Sequence, residues 1–234
     1  MGKLKTTLRG AFAAVSSVVA LASPGWAHPH VFVKVKTQLV AKGGVLVGIK
    51  HTWLFDQTWI DNQLLEHDKD GDGKLSRAEL GPLEAESKAT LEMFKSFTLV
   101  RAGGAVIRVA APRDLSVDYH GAAMGLTFTV ALAKPVPLAG DVLVEVYDAT
   151  YFSSFAFEGA EAVAFAEAAP AGCTIKADAP ASPQQMNAYR MIKKQMGPEF
   201  VDTGVPKSAL VSCAKGGAVG HNEPMAVHQP VAAR

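Results

Sequence analysis

From position 30 to 40 the chain alternates between two faces. Val31, Val33, Val35 and Leu39 fall on one side, and Phe32, Lys34, Lys36 and Gln38 on the other. A period of two with one apolar face predicts a half-buried β-strand. The stretch "AKGGVL" follows, in which Gly43 and Gly44 supply the positive φ of a tight hairpin, and "VLVGIKHTWLF" reads as the returning strand. With a two-residue turn, paired positions sum to 87. His51 then faces Lys36, and Gln57 faces His30 with Asp56 close by.

The period then changes. In "DQTWIDNQLLEH" the apolar residues Trp59, Ile60, Leu64 and Leu65 recur on neighbouring helical turns, and after a polar loop "SRAELGPLEAESKATLEMFKSF" carries Leu80, Leu83, Leu91 and Phe94 at helical spacing. From Phe97 onward short strands return: a second Gly-Gly hairpin in "FTLVRAGGAVIRVA", then "LSVDYHGAAMGLTFTVAL", "VLVEVYD", "FSSFAFEG" and "AVAFAEA". The expected fold class is α+β, an antiparallel β-rich, sandwich-like core with an inserted helix–loop–helix unit. The expected organisation is a β-rich domain over 28–178 with the insertion at 57–95. A Pro-rich linker, a short amphipathic helix and a final strand follow over 179–214, then a disordered tail over 215–234.

Ahead of the first strand stand Lys3, Lys5 and Arg9, an apolar run from Ala11 to Ala22, and the small residues Gly25 and Ala27. This is the layout of a cleaved secretory signal over 1–27. The apolar run is 12 residues long, whereas a membrane-spanning helix needs about 20, so no stable membrane insertion is expected after processing. Removal of 27 residues from 234 leaves 207, enough for one domain with a sizeable core. The removed part takes three of 23 Lys+Arg and none of 22 Asp+Glu, leaving 20 cations against 22 anions. Such a balance gives no basis for binding nucleic acid. In an exported chain the two cysteines, Cys173 and Cys213, are expected to form one disulfide.

The polar loop is the most specific signal. "DKDGDGKLSRAE" places Asp68, Asp70 and Asp72 at positions one, three and five of an EF-hand calcium loop, with Gly73 at six and the Lys74 carbonyl at seven. Leu75 stands at eight, Ser76 at nine and Glu79 at twelve. A hard cation of this size takes six to eight oxygens at about 2.3–2.6 Å, so alternating carboxylates, a glycine at the turn and a closing glutamate are the residues it requires. A single such loop points to structural rather than sensory calcium.

Cleavage after Ala27 makes His28 the first residue, with His30 on the same face of the extended chain. An amine and two imidazoles suit Zn2+, Ni2+, Co2+ or Cu2+ rather than Ca2+. Pro29 has no N–H, which excludes the square-planar chelate that uses a deprotonated amide at the second residue. Asp148, a strand-end carboxylate in "VEVYDATYF", is the candidate distant ligand. His67 is expected to point away from the calcium loop's ligand pattern, and His221 and His228 lie in the tail. The chain has no G-x-S-x-G, no H-E-x-x-H and no phosphate-binding Gly-rich loop, and the expectation is that it is not an enzyme.

The segments "AHPHVFV", "TWLFD", "DKDGDGKLSRAEL" and "VYDATYFSSF" together resemble the domain of unknown function 1007 family, periplasmic proteins counted as components of an uncharacterised ABC-type transport system. The family pattern "YDPTYY" reads "YDATYF" here. The resemblance implies a periplasmic accessory to transition-metal handling, partnered by an inner-membrane metal permease or ABC-type transporter of the nickel, cobalt or zinc type. Two alternatives stand beside this reading: a copper-dependent oxidative enzyme with an N-terminal histidine brace, and a calcium-stabilised binding module with no transition-metal role.

Overall fold

The structure is a computed structural model that describes residues 29–159 and 161–214. The expected signal segment, His28 and the tail from 215 lie outside the described residues. The described residues fold into two β-sheets and three α-helices. The helices are α1 (Gln57–His67), α2 (Arg77–Met93) and α3 (Pro183–Met196). The first sheet contains β1 (Val31–Lys42), β2 (Val45–Phe55), β5 (Arg113–Tyr119), β6 (Met124–Pro137), β8 (Ser153–Phe157) and β9 (Val163–Phe165). Its strand order is β5-β6-β2-β1-β8, with β9 also paired to β1. The second sheet, in the order β10-β11-β7-β3-β4, is built from β3 (Thr98–Ala102), β4 (Ala105–Ile107), β7 (Gly140–Val146), β10 (Cys173–Pro180) and β11 (Lys207–Cys213).

The alternation along β1 does what period two requires: odd positions from Val31 to Leu39 are buried and even ones exposed. The inner faces of both sheets share one core, in which Val33, Val35 and Phe128 of the first meet Val100, Val144 and Val211 of the second. One polar bridge crosses this core. His51 Nδ1 lies 3.0 Å from Thr37 Oγ1, and its Nε2 lies 3.2 Å from Thr98 Oγ1 on the opposite sheet. The Thr98 hydroxyl donates to the Ser96 carbonyl at 2.7 Å. Its oxygen is therefore the acceptor for a proton on Nε2, and Nδ1 accepts from Thr37.

Two expectations are corrected, the hairpin register and the direction of the strands. Near the turn the pairs do sum to 87, as in Lys42↔Val45, but a bulge between Val40 and Ala41 shifts the remaining ladder by one residue. His51 consequently faces Thr37, and the buried imidazole is a core residue. At the far end Asp56, not Gln57, meets β1: Phe32 N–H donates to Asp56 Oδ2 at 2.7 Å, and Gln57 begins α1. The first sheet is mixed rather than antiparallel, because β8 and β9 run parallel to β1. The chain leaves β7 in the second sheet and crosses to the edge of the first, and such a crossover leaves strand direction free in a way a hairpin does not. In the second sheet β10 runs on to Pro180, and β11 inserts between β10 and β7. The segment 179–214 therefore completes the second sheet, and Cys173 and Cys213, direct partners in the β10–β11 ladder, form a disulfide.

Among the described residues no helix is long and apolar enough to cross a membrane.

Candidate metal centre

Helices α1 and α2 lie against the first sheet. Asp56 caps α1 by accepting from Trp59 N–H at 3.0 Å, while Ile60, Leu80, Leu83 and Leu91 enter the common core. The Trp59 ring stacks on Phe55 at 3.9 Å, which holds the start of α1 to the end of β2. Glu84 takes a forked pair of hydrogen bonds from Arg77 of the same helix at 2.7 and 3.0 Å and anchors α2 to the sheet through its Oε1, which accepts from Val117 N–H of β5 at 3.0 Å. These donors hold the Glu84 carboxyl below its ordinary range, with the Arg77 hydrogen bond the largest cause.

Between these anchored helices the chain from Asp68 to Ser76 is folded by its own carboxylates. Asp68 Oδ1 accepts from Gly71 N–H at 2.7 Å and Oδ2 from Gly73 N–H at 2.8 Å. Both glycines have positive φ, +72° and +78°, where a Cβ would be strained. Asp72 Oδ1 accepts from Lys74 N–H at 2.8 Å. Leu75 is buried in the core and pins the middle of the loop. Glu79, on the first turn of α2, accepts from Lys69 N–H at 2.7 Å and from the Ser76 N–H and hydroxyl at 2.8 and 2.7 Å. The Ser76 hydroxyl and then the backbone donors lower its pKa to about 2.

The result is a convergence of acids. Asp68, Asp70 and Glu79 each bring a carboxylate oxygen to within 4.8 Å of the others. Of the six loop residues singled out from the sequence, these three are gathered. Asp72 and Ser76 cap and brace the loop, and Lys74 N–H is held by Asp72.

A second cluster, not anticipated from the sequence, lies on the same helix pair. Glu66, His67 and Glu86 also bring one potential ligand atom each within 4.8 Å of one another. A signal for it existed: Glu86 follows Glu79 by seven residues, two helical turns, and so shares its face of α2. The His67 Nε2 lies 3.6 Å from Glu86 Oε2. Together the two clusters give the protein a general capacity to chelate metal ions.

The remaining expected ligands are placed differently. Asp148 is buried, and its oxygens serve its own turn: Oδ1 accepts from the Thr150 N–H and hydroxyl at 2.8 and 2.7 Å, and Oδ2 from Ser153 N–H at 3.1 Å. That turn is the crossover from β7 to β8. It delivers Phe152, whose carbonyl accepts from His30 N–H at 2.8 Å and whose ring lies 4.9 Å from the His30 imidazole. His30 therefore sits at the crossover that Asp148 organises.

The sequence profile described as "Protein of unknown function (DUF1007)" matches residues 13–206. The chain belongs to the DUF1007 family. No curated protein matches it. The matched segment takes in β1, both acidic clusters, the Asp148 crossover and α3, so the features described above are features of a DUF1007 chain.

Proposed function

We propose that this DUF1007 protein is a non-enzymatic, exported metal-binding accessory of a transition-metal transport system, with a calcium ion held in an EF-hand-like loop at 68–79. The observation that carries the calcium reading is the convergence of Asp68, Asp70 and Glu79 within 4.8 Å on a loop whose glycines already have the required positive φ. The donor set fits the ion. Hard carboxylate oxygens in alternation are what calcium takes, and Asp72, the Lys74 carbonyl and Ser76 lie on the same loop to complete the shell. Bound calcium would offset the mutual repulsion of three neighbouring carboxylates and fix α1 against α2.

The transition-metal part of the reading rests on the resemblance of "AHPHVFV" and "VYDATYFSSF" to the family. In it His28 and His30, with Asp148 beyond the crossover, accept Zn2+, Ni2+, Co2+ or Cu2+ and exchange it with an inner-membrane permease in the periplasm. The contact of His30 with Phe152, four residues from Asp148, supports placing these groups in one neighbourhood.

Calorimetric titration with calcium on protein beginning at His28 tests the loop. The expected result is one calcium per chain, with loss of binding in the Asp68→Ala, Glu79→Ala double variant. Undiminished calcium binding in that variant overturns the loop assignment. Native mass spectrometry with zinc then tests the terminus, where His28→Ala with His30→Ala should remove one bound equivalent.

A further inference from the structure

The His67 imidazole presents a problem that the calcium loop does not solve. Its side chain is 7% exposed, and Nε2 is buried with no hydrogen-bond partner. The nearest acceptors are Glu86 Oε2 at 3.6 Å and Glu66 Oε2 at 4.0 Å, both beyond hydrogen-bonding reach. A buried nitrogen left without a partner costs on the order of 1–3 kcal/mol. Those separations do suit another arrangement. Ligand atoms at about 2.0–2.2 Å from a tetrahedral zinc ion lie roughly 3.3–3.6 Å apart, so a small inward rotation of two exposed carboxylates closes the shell.

We propose that Glu66, His67 and Glu86 form a second metal site, for a zinc-type first-row dication, on the outer face of the α1–α2 pair. The donor chemistry separates it from the calcium loop. Calcium takes oxygen, whereas one imidazole nitrogen with two carboxylates suits the borderline first-row ions. Three protein ligands leave a coordination position for water, as in open zinc sites. The site borders a cavity of about 530 Å³ walled also by Lys69, Ala78, Pro82 and the loop's own Glu79, which gives an ion and its water a way in. The Lys69 ammonium is turned to the Glu66 carbonyl, so that backbone oxygen, not the Glu66 carboxylate, is its hydrogen-bond partner. Glu66 and His67 are adjacent at the end of α1 and Glu86 is on α2, so a bound ion would cross-link the two helices. Such an open, three-ligand site suits an ion that is exchanged. The inference goes beyond the proposed function and needs neither the terminal histidines nor calcium.

Zinc titration calorimetry and native mass spectrometry, in saturating calcium, on protein carrying His28→Ala and His30→Ala provide the test. One zinc equivalent is expected to remain in this background. His67→Gln and Glu86→Gln should each weaken it by on the order of a hundredfold, with calcium binding unchanged. The His67 nitrogen resonance should shift on zinc addition. Absence of zinc binding in the background protein overturns the site, as does undiminished zinc affinity in both Glu86→Gln and Glu66→Gln, whose exposed positions spare the fold if His67→Gln does not fold. Loss of the calcium response with zinc retained would fail the loop reading and leave this site standing.

Discussion

The backbone N–H of Lys69 donates to Glu79 Oε1 across 2.7 Å, joining the first residues of the loop to the first turn of the helix that leaves it. Glu79 thus closes the loop before any ion is bound. Together with the Ser76 donors this keeps its carboxyl at about 2 instead of 4.5. The unfolded chain takes up the proton first, so the contribution is complete above about 4.5 and is lost as pH falls toward 2. In calcium-free buffer, melting temperature should fall over this window in the wild type, and Glu79→Gln should flatten that part of the profile. At neutral pH calcium should raise the melting temperature of the wild type and leave Glu79→Gln unmoved.

His51 carries an acid sensitivity of a different origin. Burial pushes its pKa down from 6.5 to about 3, and the neutral ring is already matched to Thr37 and Thr98. Between these values the unfolded chain binds a proton that the folded one excludes, so stability declines as pH drops from about 6.5 to 3. The loss should reach on the order of a few kcal/mol. Urea unfolding of wild type and His51→Gln across this range checks it, the variant being less stable at pH 7 with a shallower slope below 6.5.

Gly48 sits where β2 slips register against both its neighbours. An added Cβ would meet the Val130 carbonyl oxygen at 2.9 Å, a backbone atom that cannot move aside. Gly48→Ala should therefore destabilise by roughly 1–3 kcal/mol. Gly125→Ala, whose Cβ would make ordinary contacts with the Leu54 Cδ2 at 3.4 Å and the Trp53 carbonyl oxygen at 3.6 Å, should stay within about 1 kcal/mol of wild type. Equal urea midpoints for the two would contradict the backbone clash.

The Cys173–Cys213 bridge ties edge strand β10 to β11 across a sequence separation of 40. Replacing both cysteines by serine should cost about 2–4 kcal/mol, read from denaturant midpoints. Hydrogen exchange should accelerate first in β10, which has a single neighbour in its sheet.

Local rules carried the reading of the fold a long way, and their limits are physical. Period two in 31–40, the glycine pairs at 43–44 and 103–104, and the helical spacing of Leu80, Leu83 and Leu91 are properties of neighbouring residues, and the elements formed where those patterns lie. The register of His51 was not legible, because a single extra residue at a bulge shifts every later pair. The parallel placement of β8 and β9 was not legible either, since it depends on which sheet edge the chain reaches after Asp148. For the same reason the hydrogen bonds that Asp148 accepts from Thr150 and Ser153 within its own turn were not legible either.

The sequence by itself determined the α+β class, the paired cysteines and the alternation of Asp68, Asp70 and Asp72 before Glu79, since backbone period and ligand spacing are written in adjacent positions. That His51 bridges two sheets and that His67 meets Glu86 follows from packing between distant elements. Those relationships arise when α1 folds back on α2 and one sheet covers another, and burial, which makes an imidazole neutral or leaves its nitrogen without a partner, exists only after that packing is complete.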